Sequence, residues 1–224
     1  MAICEKLSKI LTRYPSLIGK GAIDILEYDE KATVRKVTWI NSDFNYFDST
    51  LAKDMTAFFQ KSTKNELFCK DCDGVIIFEH GGKKYMFITE LKSGFSTEIF
   101  YKAKTQILSS FIKTNMILHL LSCYKLEDYI VKGFIVGHPP KPDFIYNVSK
   151  ADMLKDSDTK KKHEFARSFF IKNKSHIRFL KPKDFYCLKG LPLGDRGIFQ
   201  NIELYFIEVK DGDSEIKLDV TNYI

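Results

Sequence analysis

Hydrophobic residues along the chain are grouped in short runs whose spacing predicts both strands and helices. Alternating or continuous runs rich in Val, Ile, Phe and Tyr predict strands at 32–40, 71–80, 83–92, 129–137, 177–180, 202–209 and 215–220. Apolar positions recurring at helical spacing predict helices at 3–13 and 50–61, a long helix from Ser96 or Thr97 to about Cys123, and one or two helices within 149–172. Residues 41–49 mix polar and aromatic side chains and are predicted to be a loop.

The run from 71 to 92 is predicted to be a β-hairpin that turns at Gly81-Gly82. Two glycines suit a two-residue turn because both central residues need a positive φ. With these glycines in the turn, His80 lies opposite Lys83. Each further step then pairs the next residue down one strand with the next residue up the other, so the turn alone fixes the register of the whole hairpin.

Counting outwards from that turn places Asp73 opposite Glu90 and Asp71 opposite Lys92. Side chains alternate along a strand, so these four groups share one face of the sheet. Opposed like charges destabilise a sheet, and a Mg²⁺ ion held by the two carboxylates would remove that repulsion. The alternative is an ordinary turn at Asp73 and a solvated Glu-x-Lys ion pair at the strand end. Asp71 is expected either to hold the Lys92 ammonium group or to face solvent.

The long predicted helix has an apolar face and a polar stripe at helical spacing, made of Lys102, Gln106, Ser109 and Lys113. Such a stripe is ordinarily the solvated side of an amphipathic helix. Here the helix follows the Glu90 strand after a short link, and the strand at 129–137 comes next. Two strands joined by a helix are expected to pair in parallel through a right-handed crossover.

Asp73 followed by Glu90-Leu91-Lys92 resembles the D…(D/E)-x-K signature of the PD-(D/E)XK, or restriction-endonuclease-like, nuclease superfamily. The resemblance covers about residues 65–137, and the order hairpin, helix, strand is that of the superfamily. One departure from the signature is that Cys72, not proline, precedes Asp73. The resemblance therefore depends on a short motif together with its structural context.

The resemblance implies a nuclease that uses Mg²⁺ or Mn²⁺. Asp73 and Glu90 would hold the metal, and the backbone carbonyl of Leu91 would add a third ligand. Lys92 would orient and deprotonate the attacking water, or stabilise the developing charge. The helix after the hairpin borders the catalytic cleft in this superfamily, and Gln106 is the residue expected to point at the metal or the scissile phosphate.

The length of 224 residues suits one domain with a sizeable core. We expect a single α/β (α+β) domain over 1–224, with a central mixed sheet flanked by helices, a restriction-endonuclease-like core and a β-rich C-terminal embellishment over 149–224. No signal peptide and no apolar run of about 18 residues is visible, which predicts a cytoplasmic protein without membrane contact. The five cysteines, an odd number, suit a reducing compartment.

The formal net charge of +6 and a pI of about 8.9 favour an anionic partner. The expected partner is nucleic acid, with DNA as the expected class. The residues expected to contact it are Lys102 on the long helix and, further along, Lys160, Lys161, Lys162 and Arg167. The second group alternates with phenylalanines, which predicts a basic ledge studded with aromatic rings. The alternative for that group is an ordinary solvated surface.

Three interpretations of function remain open from the sequence. The first is a Mg²⁺-dependent DNA endonuclease, with restriction or antiviral defence as its setting and a homodimer or a partner ATPase or helicase subunit as its assembly. The second is a catalytically silent protein of nuclease-like fold that binds nucleic acid or scaffolds a larger complex, because fold does not fix function. The third keeps the nuclease and changes its substrate to RNA or a branched junction.

Overall fold

The computed structural model describes residues 6–7, 9–10, 18–58, 67–172, 177–182, 185, 188, 191, 193–194 and 201–224. The strands in these ranges are β1 (Ile18–Gly19), β2 (Ala22–Leu26), β3 (Lys36–Ile40), β4 (Phe44–Asp48), β5 (Gly74–His80), β6 (Lys83–Lys92), β7 (Tyr129–Gly137), β8 (Ile177–Leu180), β9 (Ile202–Glu208) and β10 (Glu215–Asp219). The α-helices are α1 (Ser49–Met55), α2 (Thr97–Leu118), α3 (Pro142–Ser149) and α4 (Ser157–Phe170).

Seven strands form a mixed sheet in the order β1-β4-β5-β6-β7-β9-β8. The β5–β6 hairpin is antiparallel, whereas β7 is parallel to both of its neighbours, β6 and β9. Glu90 of β6 is paired with Ile135 of β7, which confirms the predicted parallel pairing across the long helix. The expected fold class, an α+β chain whose central mixed sheet is flanked by helices, is also confirmed.

The β5–β6 hairpin turns where the glycines predict. Gly81 and Gly82 have φ values of 57° and 74°, in the left-handed region that side chains with a Cβ rarely adopt. Gly74 of β5 is paired with Thr89 of β6, so the register counted from the turn is confirmed along the whole ladder. The ladder ends at Gly74, one residue short of Asp73.

The larger sheet separates two hydrophobic layers. On one face, α2 and α4 complete a helix-side core, whose members from the hairpin include Val75, Ile77, Met86 and Ile88. On the other face, a three-stranded sheet in the order β10-β3-β2 completes a sheet-side core, whose members from the hairpin include Ile76, Phe78, Tyr85 and Phe87. Side-chain alternation therefore directs odd-numbered residues of β5 and even-numbered residues of β6 towards the helices.

Trp39 of β3 joins the smaller sheet to the strand that carries Glu90. The ring is fully buried and packs edge-on against Phe87 and Phe134. Its Nε1 donates a hydrogen bond to Thr89 Oγ1 at 3.2 Å, so the buried indole N–H is satisfied. The residue before Glu90 is thereby held from the face opposite the helices.

The predicted loop at 41–49 is wrong, because this part of the chain contains β4. Phe44 and Tyr46 are buried in the sheet-side core, with Asn45 between them, and Tyr46 is paired with Ile76 of β5. An alternation over five residues is too short to distinguish a strand from a polar-aromatic loop. Pairing with β5, which the local sequence does not show, makes this segment a strand.

Helix α2 has the predicted cap and an earlier end than predicted. Ser96 Oγ accepts a hydrogen bond from the Ile99 amide at 3.1 Å, which is the expected N-cap contact. The helix ends at Leu118 rather than near Cys123, because the Leu120 and Leu121 amides bond to carbonyls three residues back and so close tighter turns.

Helix α3 lies just before the segment 149–172 in which helices are predicted. Its first residue is Pro142, a position where the missing N–H has no intrahelical partner to lose. The run of prolines interrupts regular structure after β7, as predicted, but its last member, Pro142, begins α3. Within 149–172 the chain forms a short 3₁₀ helix, Ala151–Met153, and then α4.

The remaining predictions agree with the structure to within a few residues. The strand predicted at 32–40 is β3, the helix predicted at 50–61 is α1, and the last strands are β8, β9 and β10. Most of the helix predicted at 3–13 and residues 59–61 lie outside the described residues. None of the described helices is long and apolar enough to cross a membrane.

Candidate active site

The candidate site lies at the carboxyl end of β6, between the larger sheet and α2. Glu90 and Lys92 follow Met86 and Ile88 on the helix side of the strand. The Glu90 side chain is 1% exposed and the Lys92 side chain 16% exposed. A carboxylate and an ammonium group are therefore held side by side at the edge of an apolar layer.

Asp73 reaches the same end of β6 from the neighbouring strand. It occupies the position opposite Glu90 in the hairpin register, just beyond the last pair of the ladder. Its Oδ2 accepts a hydrogen bond from the Leu91 amide at 2.6 Å. Because the amide and carbonyl of one strand residue point to the same side, the Leu91 carbonyl also lies on the side of β6 that faces Asp73.

Lys92 is held by two partners. Its Nζ donates hydrogen bonds to Glu90 Oε1 and, at 2.9 Å, to Gln106 Oε1 on α2. Gln106 Nε2 in turn donates to the backbone carbonyl of Asp71 at 2.9 Å. The structure thus brings together Asp73, Glu90, Lys92 and Gln106, the residues expected to be catalytic, with Gln106 bonded to the lysine.

The predicted pairing of Asp71 with Lys92 is wrong. The Asp71 carboxylate instead bonds to Lys113 of α2, with 2.7 Å between Asp71 Oδ1 and Lys113 Nζ. The hairpin register no longer applies at Asp71, because the chain has left the strand before Gly74. The Asp71 side chain does not face solvent either, since it is 1% exposed.

The polar stripe of α2 is not the solvated face that such a stripe ordinarily forms. Ser109 and Lys113 are fully buried, Gln106 is half-buried, and Lys102 is exposed. The stripe therefore runs from solvent at the start of the helix into the space between the helix and the sheet. Helical spacing identifies the stripe, but burial depends on the strand end that α2 covers.

Burial raises the pKa of both site carboxyl groups. It raises the pKa of Asp73 to about 7, although the hydrogen bond from the Leu91 amide lowers it. Burial also raises the pKa of Glu90 well above its ordinary value, and the Asp73 charge raises it further while Lys92 lowers it. Two carboxylates in this setting are costly to ionise together unless a cation joins them.

The Asp73 pKa predicts how stability changes with pH in the metal-free protein. A folded-state pKa of about 7, above the ordinary 3.8, gives a contribution to stability that is present at low pH and lost as the pH rises towards 7. The variant Asp73→Asn lacks this titration. We therefore expect the melting temperature of the variant, relative to wild type, to rise between about pH 4 and pH 7. A difference that stays constant over this range contradicts the assignment.

The donor set at this site fits a hard divalent cation. Glu90 Oε2 is buried and has no hydrogen-bond partner among the described residues, although buried carboxylate oxygens are normally satisfied. Among those same residues no group of three or more His, Cys, Asp and Glu side chains is placed to hold a metal ion. Mg²⁺ commonly uses only one or two protein carboxylates, and Asp73 and Glu90 supply two.

Two further charged residues near the acids were not indicated by the sequence. The charge of Glu27, just after β2, raises the pKa of both Asp73 and Glu90, and that of Lys53 on α1 lowers the pKa of Asp73. Ile25 of β2 packs so closely on Gly74 that a Cβ there would lie 3.1 Å from it. That packing of one sheet on the other brings Glu27 near, and no local pattern predicts it.

The residues predicted to bind nucleic acid fall into two places. Lys102 is exposed on α2, one turn before Gln106. Lys160 is half-buried and Lys161 exposed on α4, where Lys162 forms ion pairs with Glu98 at 2.6 Å and Asp158 at 2.8 Å and Arg167 bonds to Asp152. Lys162 and Arg167 thus already have acidic partners, and nucleic-acid binding by these five residues stays a prediction.

The aromatic ledge expected on α4 is wrong as a surface feature. Phe165 and Phe169 are buried in the helix-side core, and Phe170 packs against it. These rings contact Phe100 of α2. The three phenylalanines lie on the face of α4 that packs on α2, so their spacing reflects burial rather than base stacking.

Comparison with protein-family models, with curated proteins and with solved structures gave no match to this chain. The function must therefore be inferred from the side chains of the site and from their chemistry.

Proposed function

We propose that the chain is a metal-dependent endonuclease of the PD-(D/E)XK type that hydrolyses phosphodiester bonds of DNA. The observation that carries this proposal is the grouping of Asp73, Glu90 and Lys92 at one strand end, with a buried Glu90 oxygen left without a partner among the described residues. The order of hairpin, helix and parallel strand supports it. The basic composition of the chain supports an anionic substrate.

Each site residue has a role that follows from its position. Asp73 and Glu90 would hold Mg²⁺ or Mn²⁺. The Leu91 carbonyl, on the side of β6 that faces Asp73, would lie next to them. A divalent cation bound there supplies charge neutralisation for the phosphate oxygens and acidifies water. Two of the three Lys92 N–H donors form hydrogen bonds to Glu90 and Gln106. The third can then donate to the attacking water or the phosphate.

Gln106 would fix the direction of the lysine. Its Oε1 accepts from Lys92 and its Nε2 donates to the Asp71 carbonyl, so the amide cannot turn without losing one of these bonds. A lysine held on two sides keeps its ammonium group directed along the strand end. This arrangement suits either a proton acceptor for water or a donor to the developing charge.

Cleavage of a supercoiled plasmid tests the proposal directly. We expect nicking with Mg²⁺ or Mn²⁺ and none with EDTA. Matched duplex, single-stranded, RNA and four-way junction substrates then identify the class of nucleic acid that is cut. Binding without cleavage of any of these substrates in either metal would favour the silent binding protein or scaffold instead.

Salt dependence tests which lysines contact the phosphates. Lys102 is exposed on α2, one turn before Gln106. Lys53 is exposed on α1, and its charge lowers the pKa of Asp73. Each phosphate contact contributes about −0.9 to the slope of log K against log salt. Replacing both lysines by glutamine should thus make the slope shallower by about 2. If instead only the triple variant of Lys160, Lys161 and Lys162 changes the slope, the contact surface is α4.

A further inference from the structure

The segment just before Asp73 is bonded to three side chains of α2. Residues 70–72 belong to no strand or helix, so their backbone groups lack ladder partners. Lys113 Nζ donates to the Lys70 carbonyl at 3.1 Å, and the Cys72 amide donates to Ser110 Oγ at 2.8 Å. Gln106 Nε2 donates to the Asp71 carbonyl. Three successive residues are therefore bonded to side chains from one face of one helix.

The ion pair within this contact is fully buried. The Lys113 side chain is 0% exposed and the Asp71 side chain 1% exposed, and Asp71 Oδ2 has no hydrogen-bond partner among the described residues. Burying two charges costs much of what their attraction returns, and well-packed apolar residues are often as stable. A gain in the stability of the fold therefore does not by itself explain why an ion pair is buried here.

The position of the Asp71–Lys113 ion pair next to Asp73 explains its presence better. Asp73 follows the held segment directly, and its carboxylate reaches the Leu91 amide across the end of the hairpin. The ladder stops at Gly74, so strand pairing does not hold Asp73. If residues 70–72 were not anchored, the Asp73 carboxylate could move relative to Glu90. Errors of about 1 Å in such a site are enough to lower a rate about 10²-fold.

We propose that Ser110 and Lys113 are positioning residues: they anchor residues 70–72 to α2 and thereby set the distance between the Asp73 and Glu90 carboxylates. This inference rests on the proposed function, since it concerns the same metal site. Both residues are buried, so neither is expected to touch the substrate. Their effect appears first in metal affinity, because two carboxylates at the wrong separation bind one cation poorly.

Ser110→Ala tests the proposal with a matched control on the same helix. Ser109 is the neighbouring serine, also buried, and its Oγ has no partner among the described residues. Ser109→Ala removes the same atom without touching residues 70–72. We expect Ser110→Ala to weaken Mn²⁺ binding about tenfold in titration calorimetry, with Ser109→Ala at the wild-type value. Equal affinities for the two variants would overturn the proposal.

The ion pair is tested by removing both charges together. Asp71→Leu with Lys113→Leu leaves no buried charge unpaired, and Lys132→Leu with Glu203→Leu removes a less buried pair on β7 and β9. We expect the first double variant to unfold cooperatively, to bind Mn²⁺ at least about tenfold more weakly and to lose kcat with little change in KM. The second should keep its metal affinity. A normal affinity in the first variant, or an equal loss in both, contradicts the positioning role.

The outcomes separate this inference from the proposed function. If wild type binds no Mn²⁺ and cuts no substrate, the proposed function fails and the positioning role fails with it. If wild type binds Mn²⁺ and the Ser110 and Lys113 variants bind it equally well, only the positioning role fails. If the first double variant does not fold, the Ser110→Ala and Ser109→Ala comparison decides the question alone.

Discussion

Replacing Lys92 by methionine is expected to reduce DNA cleavage by about 10³-fold, because the ammonium group bonded to Glu90 would be the base for the attacking water or the donor to the developing charge. Its Nζ bonds to Glu90 and Gln106. Methionine keeps the length and the apolar stem. Mn²⁺ affinity should remain within about tenfold of wild type, since the lysine would not be a ligand in the proposed site.

Lys84→Met provides the control for that variant. Lys84 lies on the same strand, near the hairpin turn, and pairs with Asp128 at 3.3 Å on the surface. The same substitution there should leave cleavage unchanged. Full activity in Lys92→Met, measured in the same metal and salt, would remove Lys92 from the chemistry.

Glu90→Gln is expected to abolish cleavage down to the level of wild type in EDTA. The variant keeps the shape of the side chain and removes the charge that a cation needs, so Mn²⁺ binding should be lost with the activity. Burial already disfavours the ionised form of Glu90 by raising its pKa. The substitution should therefore leave the protein folded, with cooperative thermal unfolding.

Glu79→Gln on β5 is the matched control for Glu90→Gln. Glu79 is exposed near the turn of the same hairpin, far along the strand from the acids. It should retain both metal binding and cleavage. Metal binding by Glu90→Gln with wild-type affinity would show that the cation binds away from Glu90.

The hairpin could be predicted from the sequence because its determinants are local. Gly81 and Gly82 fix the turn, the turn fixes the register, and the register brings Asp73 and Glu90 to opposed positions. Gln106 could also be named from helical spacing and from the family that the motif resembles. Each of these steps uses residues within one turn or one helix.

The remaining features depend on contacts between distant parts of the chain. Asp71 pairs with Lys113 rather than Lys92 because the chain leaves the strand before Gly74, and no register describes an irregular segment. Glu27 approaches the acids only because the smaller sheet packs on the larger. The phenylalanines of α4 carry helical spacing that suits burial and surface stacking equally, and only the position of α2 decides between them.

The most direct measurement is a crystal structure of the protein soaked in Mn²⁺, with the anomalous signal used to locate the ion. We expect one peak next to the carboxylates of Asp73 and Glu90, close to the Leu91 carbonyl, with the Lys92 ammonium group beside it. A soaked crystal with no peak at these groups, or with the two carboxylates turned away from each other, would contradict it.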